Sequence, residues 1–258
     1  MFFSLSRGRL LSRRFAGLMA ALTVAAPCAA VGLKLAAPID PAPGGPRGEA
    51  LWRIVDGGCN HGAAAIAGLR CVPARGYAVM KDRCGPSHYL LLPLARRTGI
   101  ESPELLRADE PNYFQDAWDE RGVVAAAAPG SGQSDDEIGL AINARVARGQ
   151  SQLHIHIDWV RPEVRAALRA AGQADALPST LELQGHAYRL LHVGHLDPSP
   201  FRTVAAALGD AGAERGFESI AVIADGGSGF YVLGGRADPL HLDFGHAEDL
   251  LIPRVCGG

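Results

Sequence analysis

The stretch Gln150-Ser151-Gln152-Leu153-His154-Ile155-His156-Ile157-Asp158-Trp159 alternates polar and apolar side chains with a period of two. That period belongs to an extended strand, in which successive Cβ atoms point to opposite faces. Gln152, His154, His156 and Asp158 then share one face, and Leu153, Ile155, Ile157 and Trp159 the other. The apolar face needs a core to lie against. With 258 residues, 48% of them hydrophobic, the chain can supply one. Two imidazoles fixed on a rigid element suit either attack on phosphorus or ligation of a metal. The plain alternative is a solvated strand face, common in antiparallel sheets.

Neighbouring segments supply a frame for this strand. Gly76 to Lys81 and His88 to Leu92 flank the turn-rich Asp82-Arg83-Cys84-Gly85-Pro86-Ser87 and predict a hairpin. Asn112 is placed to cap a helix running through Phe114, Ala117, Trp118 and Arg121, with Gln115 reaching back as in a capping box. Ile138, Leu140 and Ile142 form a strand ending at Asn143, from which the loop 145–149 leads into the histidine strand as a second hairpin. Pro162 opens a helix through Val164, Ala167 and Leu168, since proline is tolerated in a first helical turn. Beyond Leu181, Pro200 to Leu208 reads as a helix, and Ser219 to Ala224 with Gly229 to Leu233 as a hairpin. The expected class is α+β, an antiparallel sheet with covering helices plus a C-terminal α+β part.

The N-terminus is different in character. Arg7, Arg9, Arg13 and Arg14 precede an uncharged stretch of nineteen residues from Phe15 to Leu33, so the basic flank stays cytoplasmic and the chain beyond Leu33 is exported or anchored. A retained inner-membrane anchor with a periplasmic globular part and a cleaved signal releasing it to the periplasm both fit, with Cys28-Ala29-Ala30 as a small-residue cleavage site. The Pro- and Gly-rich segment from Ala36 to Gly48 reads as a linker. As a polyproline-like spacer it would hold the domain within about 40 Å of the bilayer. The expected organisation is 1–35 signal or anchor, 36–48 linker, 49–180 catalytic part and 181–258 C-terminal part, the last conceivably a degenerate second half of the same domain. A net charge of -2 gives no reason to expect nucleic acid. Apart from Cys28, Cys59, Cys71, Cys84 and Cys256 permit three pairings, and the short loop favours Cys59 with Cys71.

Lys81-Asp82, Pro86, His88, Leu90-Leu91-Leu92-Pro93, Asn143 and Leu153-His154-Ile155-His156-Ile157 resemble the histidine triad (HIT) superfamily of nucleotidyl hydrolases and transferases. Gly76-Tyr77, Lys81-Asp82-Arg83, Gly85-Pro86, Glu101-Ser102-Pro103 and His154-Ile155-His156-Ile157 with Arg161-Pro162 look, more closely, like the bacterial CDP-diacylglycerol pyrophosphatases. The resemblance covers most of the chain after Cys59 and implies a HIT-like sheet and cleavage of a membrane liponucleotide into CMP and phosphatidate, without a cofactor. The middle histidine of the family pattern, the nucleophile, falls on His154 and the third on His156; the first is Gln152, which hydrogen-bonds but does not titrate. The chemistry then asks for oriented donors around the phosphoryl oxygens: His156, Gln152, Gln150 and Ser151. By resemblance Asp82 meets the ribose hydroxyls and Asn143 holds the nucleotide or the nucleophile's surroundings; turn residue and strand terminator are their plain alternatives. His88 reads as structural or as a pocket wall. Two rival readings stand beside this one: a metal-dependent hydrolase using His154, His156 and Asp158 with His186, His192 or His195, and a protein that binds a nucleotide or liponucleotide without turnover. Oligomeric state and acyl preference have no signature in the sequence.

Overall fold

A computed structural model of the chain describes residues 48–62, 65–128, 134–173, 179–209 and 212–256. The expected anchor or signal, and the linker before Gly48, lie outside these residues. Among the described residues no helix is long and apolar enough to cross a membrane. In chain order the elements are α1 (Ala50–Val55), β1 (Leu69–Val72), β2 (Tyr77–Lys81), β3 (Tyr89–Pro93), α2 (Tyr113–Asp119), α3 (Gly122–Ala127), β4 (Ile138–Ile142), β5 (Ile155–Trp159), α4 (Pro162–Gly172), β6 (Thr180–Leu183), β7 (His186–Val193), α5 (Pro200–Leu208), β8 (Glu218–Ala224) and β9 (Phe230–Arg236). The class is α+β.

All nine strands join one antiparallel sheet in the order β1-β2-β3-β5-β4-β8-β9-β7-β6. The two parts of the chain meet at its centre, where β4 pairs with β8 from Gly139↔Ile223 to Ile142↔Ile220. One face buries Phe114, Val124, Phe201 and Val204 with Leu140, Ile155, Ile157, Val222 and Val232, so α2, α3 and α5 lie on that side. The opposite face carries Leu90 and Leu92 under Leu51 and Val55 of α1, and Tyr188, Leu190, Tyr231 and Leu233 with Val164, Leu168 and Ala171 of α4. The spacing of those α4 residues is one helical stripe, and the helix starts on Pro162 as expected.

Three expectations are modified. Asn112 Oδ1 caps α2 by accepting the Gln115 N–H at 3.2 Å, but the Gln115 side chain turns outward to Asp119. The helix also stops at Asp119 instead of running through Arg121, whose guanidinium lies 4.3 Å over the Trp118 ring and donates to the Trp118 carbonyl. β5 begins only at Ile155, because its partner β3 pairs no further than Leu91↔Ile155. Residues 150–154 run on as irregular backbone, with Ser151 N bonding Gly48 O and Leu153 N bonding Arg97 O. Strands β1, β6 and β7, which extend both edges, had no reading in the sequence. All three hairpins, α5 and the Cys59–Cys71 disulfide are as expected, and Cys84–Cys256 forms a second disulfide.

Candidate active site

The polar face of the histidine strand is buried, not solvated: Gln152 is 1%, His154 8%, His156 2% and Asp158 1% exposed. A buried polar row must satisfy itself internally. A relay does so from Asp158 as far as His156 Nδ1. Asp158 accepts from Ser87 Oγ at 2.7 Å, from Trp159 N at 2.9 Å and from His88 Nδ1 at 3.1 Å. With that proton on His88 Nδ1, His88 Nε2 is the acceptor for His156 Nδ1 at 2.8 Å, and His156 Nε2 faces Glu248 Oε2 at 3.4 Å. Burial first, then the neighbouring imidazoles, push the His156 pKa well below its ordinary value, so the neutral form prevails despite the nearby carboxylate. A proton arriving at Nε2 would be shared with Glu248 and steadied through His88 by Asp158.

His154 is held differently. Its Nδ1 donates to the backbone carbonyl of Gln152 at 2.8 Å, which fixes the tautomer and leaves Nε2 with a free lone pair. Burial lowers its pKa to about 4, so that lone pair is present at neutral pH. The ring stands 5.0 Å from that of His156, nearly perpendicular to it. Both rings line a cavity of about 480 Å³. Leu51, Ile54, Ile66, Met80 and Leu90 form its apolar wall, and Asp82, Asn143, Arg148, Glu248 and Arg254 much of its polar one.

The residues singled out in the sequence divide at this cavity. Asp82, Asn143, Gln150, His154 and His156 line it; Gln152 and Ser151 do not. The Gln152 side chain points away, donating through Nε2 to the Pro93 and Ala95 carbonyls at 3.0 Å each and accepting the Arg97 N–H through Oε1 at 3.3 Å. It bolts the segment after β3 to the strand, so its contribution to His154 comes through its backbone carbonyl. Gln150 Oε1 accepts the Leu51 N–H and so tethers α1 over the cavity. Asn143 Oδ1 accepts the Glu248 N–H at 2.9 Å, holding that glutamate beside His156. Burial opposes the Asp82 charge, but the Cys84 N–H and Arg254 hold its pKa below the ordinary carboxylate value. His88, read as structural, is the middle of the relay.

The rival metal set does not assemble. Asp158 is turned into the relay, while His186 pairs with Asp243 and His192 with Asp225. Among the described residues no three His, Cys, Asp or Glu side chains are placed to hold a metal ion.

Residues 46–255 match the sequence model of the family described as CDP-diacylglycerol pyrophosphatase. The chain belongs to the CDP-diacylglycerol pyrophosphatase family. A Yersinia pestis protein described as "CDP-diacylglycerol pyrophosphatase" is 38% identical over 213 residues, covering 78% of this chain and 82% of its own. A Mycobacterium leprae protein described as "Probable CDP-diacylglycerol pyrophosphatase" is 41% identical over 152 residues, 56% of each chain. The family match spans all nine strands, so the C-terminal half belongs to it as much as the histidine strand does.

Glu248, Arg148 and Arg254 were missed in the sequence. Nothing local marks Glu248 or Arg148. For Arg254 a signal existed: it lies two residues before Cys256, and a bridge to Cys84 brings it to Asp82.

Proposed function

We propose that this enzyme hydrolyses the pyrophosphate bond of CDP-diacylglycerol to CMP and phosphatidate through a cytidylyl-histidine on His154, and that its sheet is a member of the HIT superfamily. The observation that carries the reading is the Nδ1 contact of His154 with the Gln152 carbonyl, which points an unprotonated Nε2 into the cavity. Nε2 attacks the cytidylyl phosphorus, the bond from that phosphorus to the bridging oxygen breaks, and phosphatidate departs with the electron pair. The imidazole then carries phosphorus on Nε2 and a proton on Nδ1, and the carbonyl stabilises the resulting positive charge. Water attacks the same phosphorus from the other side. Its proton passes to His156 Nε2, the phosphorus–nitrogen bond breaks, and CMP leaves beside a regenerated neutral His154.

In this reading His156 is the base for the second step, His88 and Asp158 position it, and Gln152 positions His154. Asp82 and Asn143 stand at the cavity wall where the nucleotide would lie, and Gln150 and Ser151 shape its floor through α1 and the segment leading into β5. The apolar wall from Leu51 to Leu90 suits a substrate with an apolar portion. The liponucleotide lies in a bilayer, so we place the domain on the periplasmic side of the inner membrane, tethered by the Phe15 to Leu33 segment or released after its cleavage. The C-terminal half, 181–258, is proposed to be a degenerate second copy of the first.

The test is product analysis and trapping. Purified protein given CDP-diacylglycerol labelled in the cytidylyl phosphate should release labelled CMP, and acid-labile label should remain on protein quenched during turnover. Label released as CDP or as inorganic phosphate, or no protein-bound label in rapid-quench samples of wild type, would break the mechanism.

A further inference from the structure

The cleaved bond joins two charged phosphates, yet the cations at the cavity are not equally free to meet them. Lys81 gives its ammonium to the carbonyls of Asp82 at 2.8 Å and Gly85 at 2.7 Å. The Arg148 side chain is 4% exposed, with Nη2 held by Glu101 and the Thr98 carbonyl and Nη1 buried without a hydrogen-bond partner among the described residues. Arg83 is exposed at the rim, with no hydrogen bond or ion pair to a described residue, so nothing fixes where its charge stands. Arg254 differs from all three. Its Nη1 meets Asp82 Oδ2 at 3.0 Å and its Nη2 meets Glu248 Oε2 at 2.6 Å, the same carboxylate oxygen that faces His156 Nε2. Its side chain is 33% exposed, so the remaining N–H groups of a positioned guanidinium are open to the cavity beside both histidines.

Two ion pairs hold the guanidinium, but few ties hold the backbone that carries it. Residues 252–256 have no regular structure, and Val255 is 74% exposed. The segment is tied by Ile252 N to Trp159 O, by Gly85 N to Val255 O at 3.0 Å, and by the Cys84–Cys256 disulfide, which spans 172 residues. Cys84 lies in the loop between Asp82 and the Ser87-His88 pair, so one bond fixes both the arginine and the loop that feeds the relay.

We infer that Arg254 is a phosphate ligand of this site and that the Cys84–Cys256 disulfide holds it in place. The inference rests on the liponucleotide reading for the identity of the diphosphate, but the contact itself is with phosphate oxygens. A guanidinium presents paired donors to such oxygens, and removing a donor of this kind from a shielded site costs about 100-fold in rate.

The experiment uses the full chain with its disulfides intact. Wild type, Arg254→Gln, Arg254→Lys and Cys256→Ser are assayed for CMP release from CDP-diacylglycerol in mixed micelles, and their binding of inorganic pyrophosphate is measured by titration calorimetry. Arg254→Gln should lower kcat/KM about 100-fold and weaken pyrophosphate binding at least tenfold; Arg254→Lys should recover part of both, a point charge replacing a fork. Cys256→Ser should move both readouts the same way, about tenfold, and reductant should bring wild type to that level. Thermal unfolding identifies any variant that has not folded, in which case Arg254→Lys decides. Arg254→Gln within twofold of wild type, or reduced turnover with unchanged pyrophosphate binding, overturns the phosphate contact; unaltered Cys256→Ser overturns the role of the bridge. Wild type that binds pyrophosphate through Arg254 but releases no CMP defeats the liponucleotide reading instead.

Discussion

The two halves of the sheet have the same plan and opposite contents. Outward from the β4–β8 junction, one side runs β4-β5-β3-β2 and the other β8-β9-β7-β6, and α2 and α5 occupy matching places between β3 and β4 and between β7 and β8. Phe114 and Phe201 from these helices meet with ring centroids 4.9 Å apart. One row of paired residues crosses seven of the strands, from β2 to β7: Met80, Leu90, His156, Ala141, Ala221, Leu233, Leu190. About its centre Leu90 corresponds to Leu190, and His156 corresponds to Leu233. The cover over this face explains the difference. Over β9 the long helix α4 packs down so closely that a Cβ on Gly172 would lie 2.0 Å from the Tyr231 hydroxyl, and the space is filled by leucine, valine and tyrosine. Over β5 lie α1 with the π-helical stretch Asp56–Asn60 that continues it, a loop and the C-terminal segment, and these leave the cavity of about 480 Å³. The same pleated backbone therefore holds chemistry where its cover leaves a cavity and packing where its cover fills the space.

The sharpest way to break this comparison is to remove the histidine that the second half lacks. His154→Ala should cut kcat/KM by on the order of 10⁴ or more, with the fold retained, because the covalent step disappears; a folded mutant with near-native turnover would take His154 out of that role. Asp158→Asn should cost about 100-fold, since the amide no longer anchors the His88 proton. Its counterpart in form, the exposed His192–Asp225 pair, belongs to the half without chemistry, so His192→Asn should leave CMP release unchanged. Leu233→Ala tests the packing half: loss of about 2–5 kcal/mol in denaturant unfolding, with kcat of the folded fraction nearly untouched.

Gln152→Leu sharpens the comparison within the histidine strand. Three hydrogen bonds of a buried side chain are lost, so stability should fall by about 1–3 kcal/mol, and turnover should fall with it only as far as the Gln152 carbonyl shifts away from His154. A leucine variant of full stability would show that the bolt is not needed. The mildest effect concerns pH. His154 and His156 are neutral in the fold and protonate more readily once exposed, so the unfolded chain binds more protons as pH falls. Their contribution to stability is complete above about pH 6.5 and declines towards about 4, the value of folded His154. The acid limb of kcat/KM should accordingly lie near 4, not near 6.5; a limb at 6.5 would mean that the nucleophile is hydrated.

How much of this was legible depends on distance along the chain. The alternation from Ile155 to Trp159, the cap at Asn112, the proline starts of α4 and α5, the hairpin of β8 and β9 and the short Cys59–Cys71 loop are local, and local periodicity with turn chemistry determined them. That the polar side of the strand is buried, that the Gln152 amide faces the segment after β3 and not the phosphate, and that β4 pairs with β8 were decided by tertiary packing. The relay joins residues 68 and 70 apart, and the Arg254 contact joins residues 172 apart. Side-chain alternation says which face a residue takes, but burial and hydrogen-bond partners belong to whatever distant segment covers that face, and no repeat of two or of 3.6 residues encodes it.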